Sequence, residues 1–149
     1  MIVKRAAALA ALFALMIPAA ARAQVQVSGA WARATVPGQS GTGAYMTLRA
    51  TELMRVVGAS SSAAGVVEIH EMSMDGGVMR MRAIEVLDLP ANKAVLLRPG
   101  GHHMMLMDLK RPLKVGTKVA IELQLEKPSG ERSAQRVELD VYNAPPPAR

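Results

Sequence analysis

The sequence of 149 residues contains no cysteine and very few aromatic residues: one Phe, one Trp and two Tyr. The missing cysteine excludes disulfide bonds, Cys-ligated zinc or iron–sulfur sites and a thiol nucleophile. The scarcity of aromatic rings argues against modules that bind nucleic acid by stacking its bases. We therefore expect no nucleic-acid partner, and a fold that is stabilised by aliphatic packing without covalent cross-links.

The sequence also lacks a long membrane-spanning run. Its main apolar stretch, residues 6–21, is shorter than the roughly 20 residues that a spanning helix needs. The stretch follows two basic residues and ends in Ala21-Arg22-Ala23, so residues 1–23 have the layout of a secretory signal. We expect cleavage after Ala23, export, no stable membrane insertion afterwards and, without a cysteine behind the run, no lipid anchor. An uncleaved membrane anchor is the alternative.

The chain that remains after residue 23 carries 15 basic and 12 acidic side chains. This balance is that of an ordinary solvated surface, not of a polybasic one. A chain of this size can bury about two thirds of its unfolded surface, which suffices for one domain without staples. We assign residues 24–143 to this domain and residues 144–149, which contain three prolines, to an extended tail.

Apolar and polar residues alternate along most of this domain, as in half-buried β-strands. Val119 and Ile121, for example, fall on the side of a segment opposite Glu122. Short strands at even spacing indicate an all-β fold, either an antiparallel sandwich or a small barrel, with residues 60–65 as a loop. The alternation predicts about nine strands, over residues 25–31, 44–48, 54–58, 66–72, 78–84, 94–98, 103–109, 119–125 and 137–142.

Methionine is abundant where aromatic residues are scarce, with 11 in the chain. Seven of the nine that follow the signal lie between His70 and Met107, and so do all three histidines. A core filler would be spread over the strands, as Val and Leu are here, so this clustering indicates a site. The ten clustered residues are His70, Met72, Met74, Met79, Met81, His102, His103, Met104, Met105 and Met107.

Strand parity decides which of these side chains can converge, because successive residues point to opposite faces. Imidazole and thioether donors without thiolates or clustered carboxylates favour Cu(I) over zinc, calcium or magnesium. Met104 has the opposite parity, and we expect it in the core with Met46 and Met54. Three sets share a face: His70 with Met72 and, if the strand continues, Met74; Met79 with Met81; and His103 with Met105 and Met107.

The residues by themselves leave two other classes of protein as alternatives, an enzyme and a structural protein. An enzyme with blue copper needs a thiolate, and catalytic zinc needs three His or two His with a carboxylate. Glu68 or Glu71 supplies that carboxylate in principle, but we find no nucleophile–base pair and expect no enzyme. The other alternative is a structural sandwich in which the methionines are core packing.

Four of the clustered residues, His70, Met81, His103 and Met105, have the spacing H-x10-M-x21-H-x-M. This spacing resembles the motif of the periplasmic copper chaperone family PCu(A)C, and we refer to the four as the motif residues. The flanks resemble that family too: WARA near the start of the domain, and VEIHEM and PGGHHMMLM around the motif histidines. The similarity covers essentially the whole chain after the signal.

The resemblance implies a cupredoxin-like Greek-key β-sandwich that binds one Cu(I) through the motif residues, with Met72, Met79 and Met107 as candidate auxiliary ligands. It further implies copper transfer during assembly of the cytochrome oxidase copper centres. The partner is then a Sco-type thioredoxin-like protein or the copper-site subunit of the oxidase. Copper sequestration for tolerance is the alternative role. The tail lacks the Met and His of some members' C-terminal extensions, so we expect no second copper site there.

Overall fold

A computed structural model describes residues 24–147; the predicted signal and the end of the predicted tail lie outside this range. These residues form ten β-strands, and no helix among them is long and apolar enough to cross a lipid bilayer. The strands are β1 Val25–Arg33, β2 Gly41–Ala50, β3 Met54–Ser60, β4 Ala64–Asp75, β5 Val78–Ile84, β6 Leu87–Leu89, β7 Ala94–Leu97, β8 His103–Leu109, β9 Lys118–Glu126 and β10 Arg132–Tyr142.

All nine predicted strands are present, which confirms the all-β prediction. Most are longer than the alternation indicates, and β4 already begins at Ala64, so the predicted loop over residues 60–65 shortens to residues 61–63. The tenth strand, β6, is absent from the prediction because three residues are too few to show a period. It forms by pairing with β3.

The strands form one sheet in the order β5-β4-β8-β2-β1-β10-β9-β3-β6, and β7 pairs with β2. A further pairing between β3 and β4, at Ala59 and Val67, closes the sheet. The pairs are antiparallel except that β1 runs parallel to β10. The purely antiparallel prediction is wrong at this pair, because local alternation carries no information on the direction of a strand far away in the chain.

The core lies inside the closed sheet and is almost entirely aliphatic. Alternate residues of β9 point into it, and Ile121, Leu123 and Leu125 are each at most 1% exposed. Full burial of one such side chain stabilises the fold by about 1.5–3 kcal/mol. The methionines predicted to be core residues are confirmed as such, since Met46, Met54 and Met104 are at most 2% exposed.

The β4–β5 hairpin extends beyond this core, and every residue of β5 before Ile84 is exposed. Its two-residue turn consists of Gly76 and Gly77, with φ of +57° and +78°. Positive φ at both positions defines the type I′ turn, which suits the twist of a hairpin and which glycine adopts without strain. The turn pairs Asp75 with Val78 and thereby sets the register of the whole hairpin.

Candidate metal centre

The strand order brings the three strands that carry the motif residues together, with β4 between β5 and β8. Ile69 and Met104 pair across β4 and β8 and belong to the core. Their sequence neighbours therefore point away from the core, onto what we call the outer face of β4, β5 and β8. On this face His70 pairs with His103, and their ring centroids are 5.8 Å apart.

Two thioethers of the motif flank the histidine pair on the same face. Met105 lies on β8 opposite Glu68. Met81 lies on β5 opposite Met72, which is the next outward residue after His70. The register therefore places the four motif residues on one face of three adjacent strands.

The hydrogen bond of His70 fixes which of its ring nitrogens is available to a ligand. Its Nε2 lies 2.9 Å from the Glu68 carboxylate, which accepts the N–H. The Nδ1 atom then carries a lone pair, and it is buried without a hydrogen-bond partner within the described part of the chain. A buried, unpartnered nitrogen is costly unless it binds something, so His70 Nδ1 fits a metal ligand.

His103 is held in the complementary way, from the backbone. Its Nδ1 donates to the Gly101 carbonyl oxygen at 2.9 Å, because a carbonyl can only accept. The turn before β8 positions that carbonyl, with Gly101 and His102 both hydrogen-bonded to the backbone of Arg98. His103 Nε2 is left with the lone pair. A hydrogen bond on the second nitrogen is the usual way in which proteins orient a metal-binding imidazole.

A small aromatic stack lies behind His103, which is itself 4% exposed. The Tyr45 ring lies 6.4 Å from the His103 ring, and Trp31 packs on Tyr45 at 4.7 Å between centroids. Half of the chain's four aromatic residues thus lie at this site. They exclude water from one side of the imidazole and limit its rotation.

Strand β2 carries two glycines opposite the thioethers of β8. Gly41 and Gly43 pair with Met107 and Met105. A Cβ atom added at Gly41 would lie 3.3 Å from the Leu106 carbonyl oxygen, and in ordinary van der Waals contact with Met107 Cγ at 3.8 Å and Met105 Cε at 3.9 Å. The space above Gly43 is taken by the Tyr45 ring. A larger residue at position 41 would therefore press first on the backbone of β8, between the two methionines.

The outer face is open on the side of β5. Met81 is 52% exposed, whereas the His70 side chain is 14% exposed. Met72 and Met107, the candidate auxiliary residues nearest to the histidines, are half-buried. Exposure of this extent contradicts the alternative in which the clustered methionines pack the core. Among them, Met104 is the one that is a core residue.

Met74 and Met79 lie farther out on the same face, paired with each other. They are 70% and 59% exposed. The conditional prediction that β4 continues through Met74 is thereby confirmed. His102 lies outside the group, with its Nε2 atom 3.7 Å from Glu71 on the other side of β4.

The available donors are imidazoles and thioethers, not a carboxylate-rich set. Within residues 24–147, no three His, Cys, Asp or Glu side chains are grouped to hold a metal ion. Glu68 is engaged with His70, and Glu71 points to the other face, where it binds Arg82 at 2.8 Å. These positions do not assemble the His₂-carboxylate set of catalytic zinc, whereas soft neutral donors suit Cu(I).

Comparison with known proteins identifies the family. The model of the family described as putative lipoprotein LpqE-like matches residues 25–141. The putative lipoprotein Lxx21020 of Leifsonia xyli subsp. xyli (strain CTCB07) is 38% identical over 101 residues, which are 67% of this chain. The chain belongs to the LpqE-like family, and it spans 61% of the length of that curated relative.

Solved structures of copper-binding domains share the fold. The Cu(I) form of DR1885 from Deinococcus radiodurans is 34% identical, with a TM-score of 0.58 over 77% of this chain and 76% of that one. Its apo form is 33% identical, with a TM-score of 0.59 over 97% and 95%. The copper-bound PCuAC domain from PmoF2 is 21% identical, with a TM-score of 0.61 over 80% of this chain and 95% of that one. At this identity the likeness is one of fold.

These likenesses confirm the predicted cupredoxin-like class of the sandwich. They also agree with the resemblance to PCu(A)C proteins at the level of the family. The assignment of the four motif residues as ligands, the domain limits and the partners stay predictions.

Proposed function

We propose that this protein is an exported copper chaperone that binds one Cu(I) ion on the outer face through the four motif residues. The observation that carries the proposal is the histidine pair. His70 Nδ1 and His103 Nε2 are the ring nitrogens left without a hydrogen bond among the described residues, and both rings lie on one face. The named copper-bound and Cu(I) neighbours support copper as the metal.

The chemistry of the ligand set suits a carrier. Two imidazoles and two thioethers are neutral, so they bind a soft monovalent ion without the strong charge stabilisation that thiolates give. Glu68 adds a negative charge beside His70, which favours a cation and orients the ring. The exposed Met81 allows an acceptor to approach and replace the ligands one at a time, with copper staying in the +1 state.

We place the protein among carriers and not among enzymes because the similar solved proteins are named as copper-bound domains. Export is supported by the family description and by the curated relative, both of which name putative lipoproteins. We propose the periplasm as the compartment and cleavage after Ala23. The proposed acceptor is a Sco-type thioredoxin-like protein or the copper-site subunit of cytochrome oxidase.

An anaerobic titration against a chromogenic Cu(I) chelator tests the binding step. We expect the wild-type protein to withdraw one equivalent, and Met105→Leu, a near volume-conserving change, to lower the affinity about tenfold, or about 1.4 kcal/mol. Met104→Leu is the matched control, because this neighbour points into the core. Absence of tight Cu(I) binding by the wild-type protein, or equal losses in both variants, would contradict the proposed site.

A second experiment separates delivery from tolerance. The Cu(I)-loaded protein is mixed with a purified acceptor domain, and the copper content of each is measured after they are separated. Delivery predicts transfer to the acceptor and a loss of oxidase activity in a deletion strain that added copper restores. Tolerance predicts copper retention by the protein and increased copper sensitivity of that strain with unchanged oxidase activity.

A further inference from the structure

The β4–β5 hairpin sorts its side chains by chemistry between its two faces. One face carries ion pairs, with Arg80 3.5 Å from Asp75 and Arg82 2.8 Å from Glu71. The other face carries thioethers in two cross-strand pairs, Met72 with Met81 and Met74 with Met79. The thioethers therefore form an uncharged track from the hairpin tip to the histidine pair.

The side chains of the outer pair, Met74 and Met79, do not pack against the core. The two side chains are 70% and 59% exposed, on a part of the hairpin that has passed beyond the core. Sheet surfaces at such places ordinarily carry β-branched or polar residues, and a flat apolar edge favours unwanted pairing. Two flexible thioethers opposite each other are instead suited to hold a soft ion between them.

The spacing of the track allows an ion to move along it. Cross-strand partners have their Cβ atoms about 4.5–5.5 Å apart. The next pair on the same face follows after two residues, about 7 Å farther along the strand. Methionine side chains have three rotatable bonds between Cα and the sulfur atom, so adjacent pairs can reach a common ion during transfer.

We propose that Met74 and Met79 form a second, outer Cu(I) site that captures copper and passes it to and from the site at the histidine pair. This inference rests on the proposed function, which makes Cu(I) the ligand of both sites. Transfer is ligand exchange: the thioethers of Met74 and Met79 are replaced by those of Met72 and Met81, and copper remains Cu(I). Having fewer ligands, the outer site binds more weakly and fills second.

The test is an anaerobic Cu(I) titration of protein labelled with ¹³C at its methionine methyl groups, followed by NMR. We expect the first equivalent to shift the methyl signals of Met81 and Met105, and the second to shift those of Met74 and Met79. Single changes to leucine at the two exposed outer positions assign their signals. If the first equivalent shifts its two signals and the outer signals stay fixed through the second, the outer site is refuted and the proposed function stands. If no signal moves at any stage, the proposed function itself fails.

A kinetic measurement tests the path. The double variant Met74→Leu/Met79→Leu should lose the second equivalent and release its first Cu(I) to a bulky chelator about tenfold more slowly. Val78→Leu is the matched control, since Val78 lies at the same tip on the charged face and is 58% exposed. Equal slowing in both variants, or no slowing in the double variant, would overturn the role of the outer pair in transfer.

Discussion

The β4–β5 and β9–β10 hairpins share one alternating pattern and put it to different uses. In β9, Val119, Ile121 and Leu123 point into the core and are at most 2% exposed. In β5, Met79 and Met81 occupy equivalent alternate positions and are more than half exposed. Both hairpins carry ion pairs on the face opposite these residues. In the β9–β10 hairpin, Lys118 binds Asp140 at 2.8 Å.

The difference lies in the kind of apolar residue. Branched aliphatic side chains are stiff, fill a core closely and have no donor atom. Methionine is flexible and carries a sulfur lone pair, so it remains useful where no core is available. A period of two thus predicts a strand in either case, while the residue type distinguishes a face that packs from a face that binds.

The largest expected effect separates the two hairpins by stability. Leu123→Ala should lower the free energy of unfolding by about 3 kcal/mol, because it opens a cavity among fully buried side chains. Met79→Ala should lower it by less than about 0.5 kcal/mol, as is usual for an exposed position. Urea denaturation of both variants measures the contrast. Comparable losses would mean that the methionine face contributes to packing.

An intermediate effect, on Cu(I) affinity, is expected from a hydrogen bond between a Glu and the residue two positions later, which both hairpins contain. Glu68 binds the His70 ring two residues along β4, and Glu122 binds Gln124 two residues along β9, at 3.0 Å. Glu68→Ala should lower Cu(I) affinity about threefold, less than the usual effect of an orienting partner, because Glu68 is 42% exposed and water replaces it in part.

Glu122→Ala is the control for that change and should leave Cu(I) affinity unaltered. The two variants are compared with wild-type protein in the same chelator competition at constant pH. If removal of Glu68 proves neutral, the carboxylate does not orient His70. If both variants lose affinity equally, the effect arises from the net charge of the protein and not from the hydrogen bond.

The smallest effect concerns pH. Hydrogen bonds from Arg55 and then Arg132 lower the pKa of Glu126, at the end of β9, below its ordinary value of 4.5. A pKa that is lower in the folded state gives stability that is present above pH 4.5 and is lost as the pH falls toward the folded value. The thermal midpoint of Glu126→Gln should therefore lie slightly below wild type at pH 7, and the difference should shrink as the pH falls below 4.5.

Glu71→Gln, in the exposed ion pair with Arg82, is the corresponding change in the other hairpin. Surface pairs of this kind contribute about 0–1 kcal/mol, so we expect a difference from wild type at or below the limit of detection. A pH-dependent loss as large as that of Glu126→Gln would show that the charged face of the β4–β5 hairpin is also stabilising.

The sequence predicted which side chains lie on the outer face, but not the contacts that orient them. Parity predicted which residues of each strand share a face, because strand alternation is a local property, and the resemblance to the PCu(A)C motif selected Met81, Met105 and the two histidines among them. The adjacency of the three strands that carry them comes from the structure. The free nitrogens of His70 and His103 were not predictable, since they depend on the Glu68 carboxylate and on one backbone carbonyl. An acidic residue two positions before a strand histidine is the signal that could have suggested the first of these contacts.

The pairings between distant strands were also not predictable, because a local pattern carries no information about them. The parallel pairing of β1 with β10 joins segments at opposite ends of the domain. The β3–β4 pairing joins neighbouring strands, but it closes the sheet only because all the strands between them in the sheet order pair as they do. The Tyr45 ring reaches His103 because β2 lies next to β8, which a short pattern around Tyr45 does not reveal. Strand β6 likewise depends on its partner.

The Gly76-Gly77 turn makes the hairpin sensitive to length in a way that substitutions do not reveal. Because the side-chain period of a strand is two, one residue deleted from β5 next to the turn would exchange its faces. Arg80 and Arg82 would then stand where Met79 and Met81 do, and two fixed positive charges would face any incoming cation. A change of one residue in the length of β5 should therefore disturb the methionine face more than any single substitution on it.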